Sequence, residues 1–138
     1  MNYRTDNMKW ILFILLSTSA YGQSFLDYNK FEDKVLTKSA FGEDEVSVVV
    51  IEFWASFNDA NAFQDAGKLK DITSYYRVDI SKYPESKKDY RVRMTPTIIV
   101  FKDGEEQEKF KAGLDLLCPV TLEELQESID DARSASKF

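Results

Sequence analysis

Histidine is missing from this chain altogether. That absence removes Ser-His-Asp and Cys-His nucleophilic catalysis, His-ligated zinc and imidazole acid–base chemistry together. Cysteine occurs once, as Cys118, so neither an intramolecular disulfide nor a Cys-x-x-Cys pair exists. Basic residues are outnumbered, 18 against 24 acidic ones, leaving a net charge of −6. An acidic chain is a poor nonspecific ligand for nucleic acid or an anionic membrane surface. The apolar runs fall short of the ~20 residues a membrane helix needs. No repeat and no low-complexity tract is present, and no metal or cofactor is expected.

What is there suits one domain: 138 residues, 43% hydrophobic and 14% aromatic, with a 30% charged complement for the surface. The first residues read as an export leader. Lys9 precedes an apolar block from Trp10 to Leu16, and Ala20-Tyr21-Gly22 places small residues where a signal peptidase reads. Residues 1–22 are therefore expected to be a signal peptide, with Met8 a candidate true start and the product in the periplasm or secreted. No membrane insertion is expected after cleavage. The leader carries Arg4, Asp6 and Lys9, so the remainder is one unit more acidic than the whole.

Along residues 23–131 the pattern alternates. Phe31, Val35 and Leu36 lie at helical spacing, with Asp27 or Asn29 as cap, and "FGEDE" breaks that segment. Val46–Trp54 is a nearly continuous β-branched and aromatic run, as in a strand covered on both faces. A short helix is predicted from about Asp59 to Leu69, a strand over Ser74–Ile80, and a proline-started helix over Pro84–Val92. Thr97–Phe101 and Glu106–Ala112 read as strands joined at Asp103-Gly104, a pair that accepts the positive φ of a tight turn. Thr121 and Glu124 form a capping box for a helix with Leu122, Leu125 and Ile129 as its apolar stripe. Residues 132–138 lack pattern and are predicted to be a flexible tail. The order implies an α/β sandwich with a mixed sheet between helical layers.

The stretch "FWASFNDANAF", Phe53 to Phe63, sits at a strand-to-helix junction where chemistry is often placed. Asn58, Asp59, Ala60 and Asn61 offer no good nucleophile there. Four short motifs follow one another along the chain: Glu52-Phe53-Trp54-Ala55, Thr95-Pro96-Thr97, Phe101-Lys102-Asp103-Gly104-Glu105 and Gly113. With the order of elements between them, they resemble the thioredoxin superfamily over about Phe31 to Ile129. The resemblance implies a thioredoxin-like three-layer α/β/α sandwich, with Asn58 and Asn61 at the two cysteine positions of the family. Exchange of disulfides requires a low-pKa thiolate and a second, resolving thiol, and asparagine supplies neither. Enzymatic activity is thus not expected at this turn. Asn58 and Asn61 read either as helix caps alone or as caps that also donate to a ligand.

The resemblance further implies a cis peptide before Pro96, with Thr95 offering its backbone to an extended peptide. The implied binding face is Trp54, Phe57, Asn58, Asp59, Asn61, Thr95, Pro96 and Gly113. It implies that Glu52 is a buried acid and that Arg77 takes the place of a buried lysine. A bidentate ion pair would offset the cost of burying that carboxylate. Lys87, Lys88, Arg91 and Arg93 form a basic cluster, either a solvated face or a rim to the groove. Cys118, before Pro119, reads as a small buried hydrophobe, the alternatives being an intermolecular disulfide or a monothiol redox site. The expected function is a redox-inactive, exported protein that binds a protein or extended peptide as adaptor, chaperone or assembly subunit. The rivals are a thiol oxidoreductase acting through Cys118 and a purely structural module.

Overall fold

The computed structural model describes residues 24–37 and 46–135. The leader, the "FGEDE" break and the last three residues of the tail lie outside the described residues. Five strands form one mixed sheet: β1 (Ser24–Phe25), β2 (Val48–Trp54), β3 (Ser74–Asp79), β4 (Thr97–Lys102) and β5 (Glu105–Lys111), in the order β1-β3-β2-β4-β5. β1, β3 and β2 run parallel, whereas β4 is antiparallel to β2 and to β5. The two α-helices among the described residues are α1 (Pro84–Asp89) and α2 (Leu122–Ser134). Among the described residues no helix is long and apolar enough to cross a membrane.

β2 lies at the centre because every residue from Val48 to Phe53 is buried. Its alternation feeds two cores. Val48 and Val50 pack with Ile98, Val100, Leu125 and Ile129 under α2. Val49, Ile51 and Phe53 pack with Phe31, Val35, Ile99 and Phe101 on the other face. The sheet is thus covered on both sides, as the nearly continuous apolar run of Val46–Trp54 predicts. The β4–β5 hairpin turns through Asp103 (φ 49°) and Gly104 (φ 82°), the pair of positive φ angles a two-residue turn requires. A Cβ on Gly104 would also stand 2.1 Å from the carbonyl oxygen of Leu36.

Three predicted elements differ. The first helix is shorter and wider: a 3-10 turn over Tyr28–Lys30, capped by Asp27, then a π-type turn over Glu32–Leu36. The amide of Thr37 reaches back five residues to Glu32, and the wider turn leaves Leu36 exposed while Phe31 and Val35 stay buried. The helix predicted over Asp59–Leu69 is replaced by two 3-10 turns, Ser56–Asn61 and Ala66–Lys68. The cause is the ion pair below: Glu52 takes the Phe63 amide and Arg77 takes the Phe63 carbonyl, groups an α-helix would need for itself. At the other end, α2 continues through residues 132–134, where a flexible tail is predicted. Ala132 is buried and the Lys102 ammonium donates to the Ala135 carbonyl at 2.6 Å, satisfying the helix end.

Candidate functional site

β2 ends at Trp54, and the chain enters the Ser56–Asn61 turn immediately. The Trp54 indole donates to Asp59 Oδ1 at 2.8 Å, which ties strand to turn. Asn58 is 8% exposed and does not cap this turn, whose N-cap is Ala55. Its backbone is non-helical (φ −119°, ψ 23°), and its side chain points across to two other loops. Nδ2 donates to the carbonyls of Thr95, at 2.8 Å, and of Leu116, at 2.9 Å. Oδ1 accepts from Asn61 Nδ2 at 2.8 Å. The cap predicted for Asn58 and Asn61 is therefore an internal bridge that joins three segments.

Thr95 precedes Pro96 across a cis peptide bond and is itself buried. One lone pair of its carbonyl is already held by Asn58, so the backbone that the sequence reading offers to a peptide is partly engaged. Its hydroxyl is buried without a partner among the described residues. Gly113 opens the third segment, where the Leu116 N–H donates a hydrogen bond to the Gly113 carbonyl and Leu116 adopts φ 59°. A Cβ at Gly113 would make only an ordinary contact, with Asp115 at 3.5 Å, so neither φ nor space demands glycine there. The sequence reading named Phe57 but missed the exposed leucines of this face. Phe57 is 75% exposed, Leu114 90% and Leu117 54%, one beside Asn58 and two flanking Leu116. "GLDLLCP" carried that signal, since its three leucines fall between Gly113 and Pro119, outside every predicted strand and helix.

Beneath the turn lies a buried charged network. β2 and β3 place Glu52 opposite Arg77, and Arg77 Nε meets Glu52 Oε1 at 3.1 Å. The pair is not bidentate. The second carboxylate oxygen accepts the Phe63 amide at 3.2 Å, and an Arg77 terminal nitrogen donates to the Phe63 carbonyl at 2.9 Å. A third member, unpredicted, is Tyr75, whose hydroxyl donates to Glu52 Oε1 at 2.6 Å. Strand alternation in "SYYRVDI" puts Tyr75 and Arg77 on one face, so that signal was present. Burial first, then the charge of Glu52, pushes the Tyr75 phenol far above its usual range. Arg77 also approaches Asp59 at 3.9 Å, linking network to turn.

Cys118 is half-buried, and its thiol donates to the Val120 carbonyl at 3.4 Å. Burial pushes the thiol pKa up, and the charge of Glu52 acts in the same direction. A nucleophilic thiol requires the opposite shift. Lys87, Lys88, Arg91 and Arg93 are all exposed, and none forms an ion pair among the described residues. Burial first, and then Lys111 and Arg91, lower the Lys109 pKa against the opposing charge of Glu106.

A family model described as Thioredoxin matches residues 26–121. Thioredoxin M3, chloroplastic, of Oryza sativa subsp. japonica is 31% identical over 94 residues, covering 61% of this chain and 50% of that protein. Thioredoxin Y2, chloroplastic, of Arabidopsis thaliana is 39% identical over 46 residues, 33% of this chain and 28% of that protein. The chain spans half or less of the length of these curated relatives. Among solved structures, a mutant thioredoxin from Halobacterium salinarum NRC-1 aligns with a TM-score of 0.57 at 15% identity, covering 83% of this chain and 92% of that one. Schistosoma mansoni thioredoxin aligns at 0.52 with 18% identity, covering 80% and 91%. At such identities the structural likeness speaks for the fold alone.

Proposed function

This chain belongs to the thioredoxin family, and we propose that it serves there as a binding member without thiol–disulfide exchange. On this reading it is an exported protein that holds a polypeptide partner against the face of Phe57, Asn58, Thr95, Pro96 and the 113–117 loop. Its role would be that of adaptor, chaperone or assembly subunit. One observation carries the reading. Asn58 ties the turn to Thr95 and Leu116, and the turn and the Leu116 loop each present exposed apolar side chains on that tied frame. Apolar groups held on a rigid frame lose little conformational freedom when a partner covers them. With one Thr95 carbonyl lone pair engaged, side chains supply most of the recognition.

The oxidoreductase rival is disfavoured by the half-buried setting of Cys118, which raises its thiol pKa. Export rests on the leader pattern of residues 1–22. Two measurements test the proposal. Reduction of insulin by dithiothreitol should proceed no faster with the protein than without it, and turnover abolished by Cys118→Ser would overturn the reading. Binding of a permanently unfolded polypeptide, such as a carboxymethylated globular protein, should be saturable and should fall when Phe57 and Leu117 are both changed to Ser. Equal binding by that double variant would place the partner on another face.

A further inference from the structure

A second concavity lies at the opposite flank of Trp54. In the sheet, β3 and β4 border β2 on opposite sides. The Asn58 bridge reaches the loop before β4, whereas this cleft, of ≈ 450 Å³, is lined from the ends of β1, β2 and β3. Phe25 and Asp27 come from β1 and the residues just after it, Trp54 from β2, and Asp79, Lys82 and Tyr83 from β3 and its exit. All three strands are parallel, so the cleft sits outside their carboxyl ends. Open α/β sheets place ligands there, and the volume suits a small organic group.

The walls are aromatic and the polar groups are mainly anionic. Phe25 stands edge-on to Trp54 at 4.9 Å between ring centres, and Asp59 fixes the indole from behind. Asp27 Oδ1 accepts the Asn29 amide at 3.0 Å and the Tyr83 hydroxyl at 3.2 Å. Asp79 Oδ1 accepts the Ser81 amide at 2.9 Å. In both carboxylates the other oxygen takes no hydrogen bond among the described residues. Two carboxylates are thus immobilised through one oxygen while the other remains to receive a donor. The Lys82 ammonium lies 5.5 Å from the centre of the Tyr83 ring. That arrangement is a cation–π contact made by the protein's own side chain.

We infer that this cleft binds an organic cation of the guanidinium or alkylammonium class. A flat or slender cation stacks against Trp54 and Phe25 and reaches Asp27 and Asp79, a combination of aromatic face and carboxylate that arginine-like groups satisfy well. An anion would meet two carboxylates against one ammonium. A divalent metal ion is served poorly, because it takes six or more oxygens and no three ligating side chains converge among the described residues. Lys82 is an internal competitor for the aromatic wall. The same cation could arrive as a free small molecule or as the arginine side chain of a polypeptide.

The test uses the full chain and follows the Trp54 indole N–H resonance by NMR. The probes are agmatine, an acetylated and amidated Gly-Arg-Gly peptide, and the same peptide with citrulline, the neutral isostere of arginine. Agmatine or the arginine peptide should shift the resonance saturably, and the citrulline peptide should not. Asp79→Asn, which keeps the oxygen that accepts from Ser81, should weaken binding about fivefold, the upper range for a screened ion pair. Lys82→Met should tighten it. A tighter arginine peptide than agmatine assigns the cation to a polypeptide, and the reverse order assigns it to a free molecule. Absence of a saturable shift, equal binding of citrulline, or weaker binding in Lys82→Met overturns the inference. None of these results bears on the Asn58 face, whose variants at Phe57 and Leu117 are read separately.

Discussion

Asn58 makes three side-chain hydrogen bonds, and two of them end on carbonyls of distant loops. Asn58→Ala should destabilise the protein by ~1–3 kcal/mol, the range for buried polar groups that lose their partners. Asn58→Asp should be worse, since it turns a double donor toward two carbonyls into an acceptor. Urea denaturation measures both, and a neutral alanine variant would show that the bridge holds nothing. Arg77→Met strands the buried Glu52 carboxylate and should cost ~3–5 kcal/mol in the same assay, a small loss instead indicating a solvated site. The tyrosines set the alkaline limit. Tyr90 is pushed up to about 12, by burial first and then by Asp89 and Glu106, and Tyr75 is raised further by burial and Glu52. Folded pKa values above unfolded ones mean that the unfolded chain loses protons first. Their stabilisation is therefore complete below pH ~10 and is lost as pH rises from there through the folded values. Tyrosinate absorbance and circular dichroism should change together across that window. Seven tyrosines titrating near pH 10 in an intact fold would contradict the burial argument.

At the scale of elements, the tightest constraint is the β4–β5 turn. Gly104 is needed both for its positive φ and for the approach of the Leu36 carbonyl. Gly104→Ala should therefore destabilise the protein by more than the ~1–2 kcal/mol of a left-handed alanine alone, and so lower the thermal midpoint. A midpoint equal to that of the parent would mean that the Glu32–Leu36 turn moves aside freely. This turn was legible in the sequence, as were α2 and its capping box, because each rests on residues close together in the chain. The absent helix after Asp59 was not legible. Its backbone groups are taken by Glu52 from seven or more residues upstream and by Arg77 from another strand, and no local propensity reports such competition. The width of the Glu32–Leu36 turn was hidden for a related reason, since burial of Phe31 and Val35 tolerates either a 3.6-residue or a wider period.

For the whole molecule, the decisive question is whether the family's platform survives beneath the asparagines. The Asn58 and Asn61 side chains meet at 2.8 Å, so cysteines at both positions would face each other. The double variant Asn58→Cys with Asn61→Cys should gain insulin-reducing turnover that neither single variant shows. Absence of turnover in a folded double variant would mean that the 3-10 geometry itself opposes exchange. The site was partly legible: Glu52 and Arg77, Asn58 and Thr95 were named from the chain, and the structure brings each pair together. Tyr75 and the exposed leucines were not named.

The sequence by itself determined the α/β class, the order of the four longer strands and of the last helix, the tight turn, the capping box and the absence of a thiol pair, all properties of local pattern or composition. Only the tertiary structure decided what Asn58 does, why the helix after Asp59 gives way, and that three parallel strand ends enclose an aromatic and acidic cleft. Each of these depends on groups more than ten residues apart, whose meeting is set by the strand order β1-β3-β2-β4-β5 and by the parallel register of Glu52 against Arg77. A hydrogen-bond donor on one strand exit has no local means of indicating which distant carbonyl it will reach. Packing of the two cores fixes that distance, and the chemistry of the face follows from it.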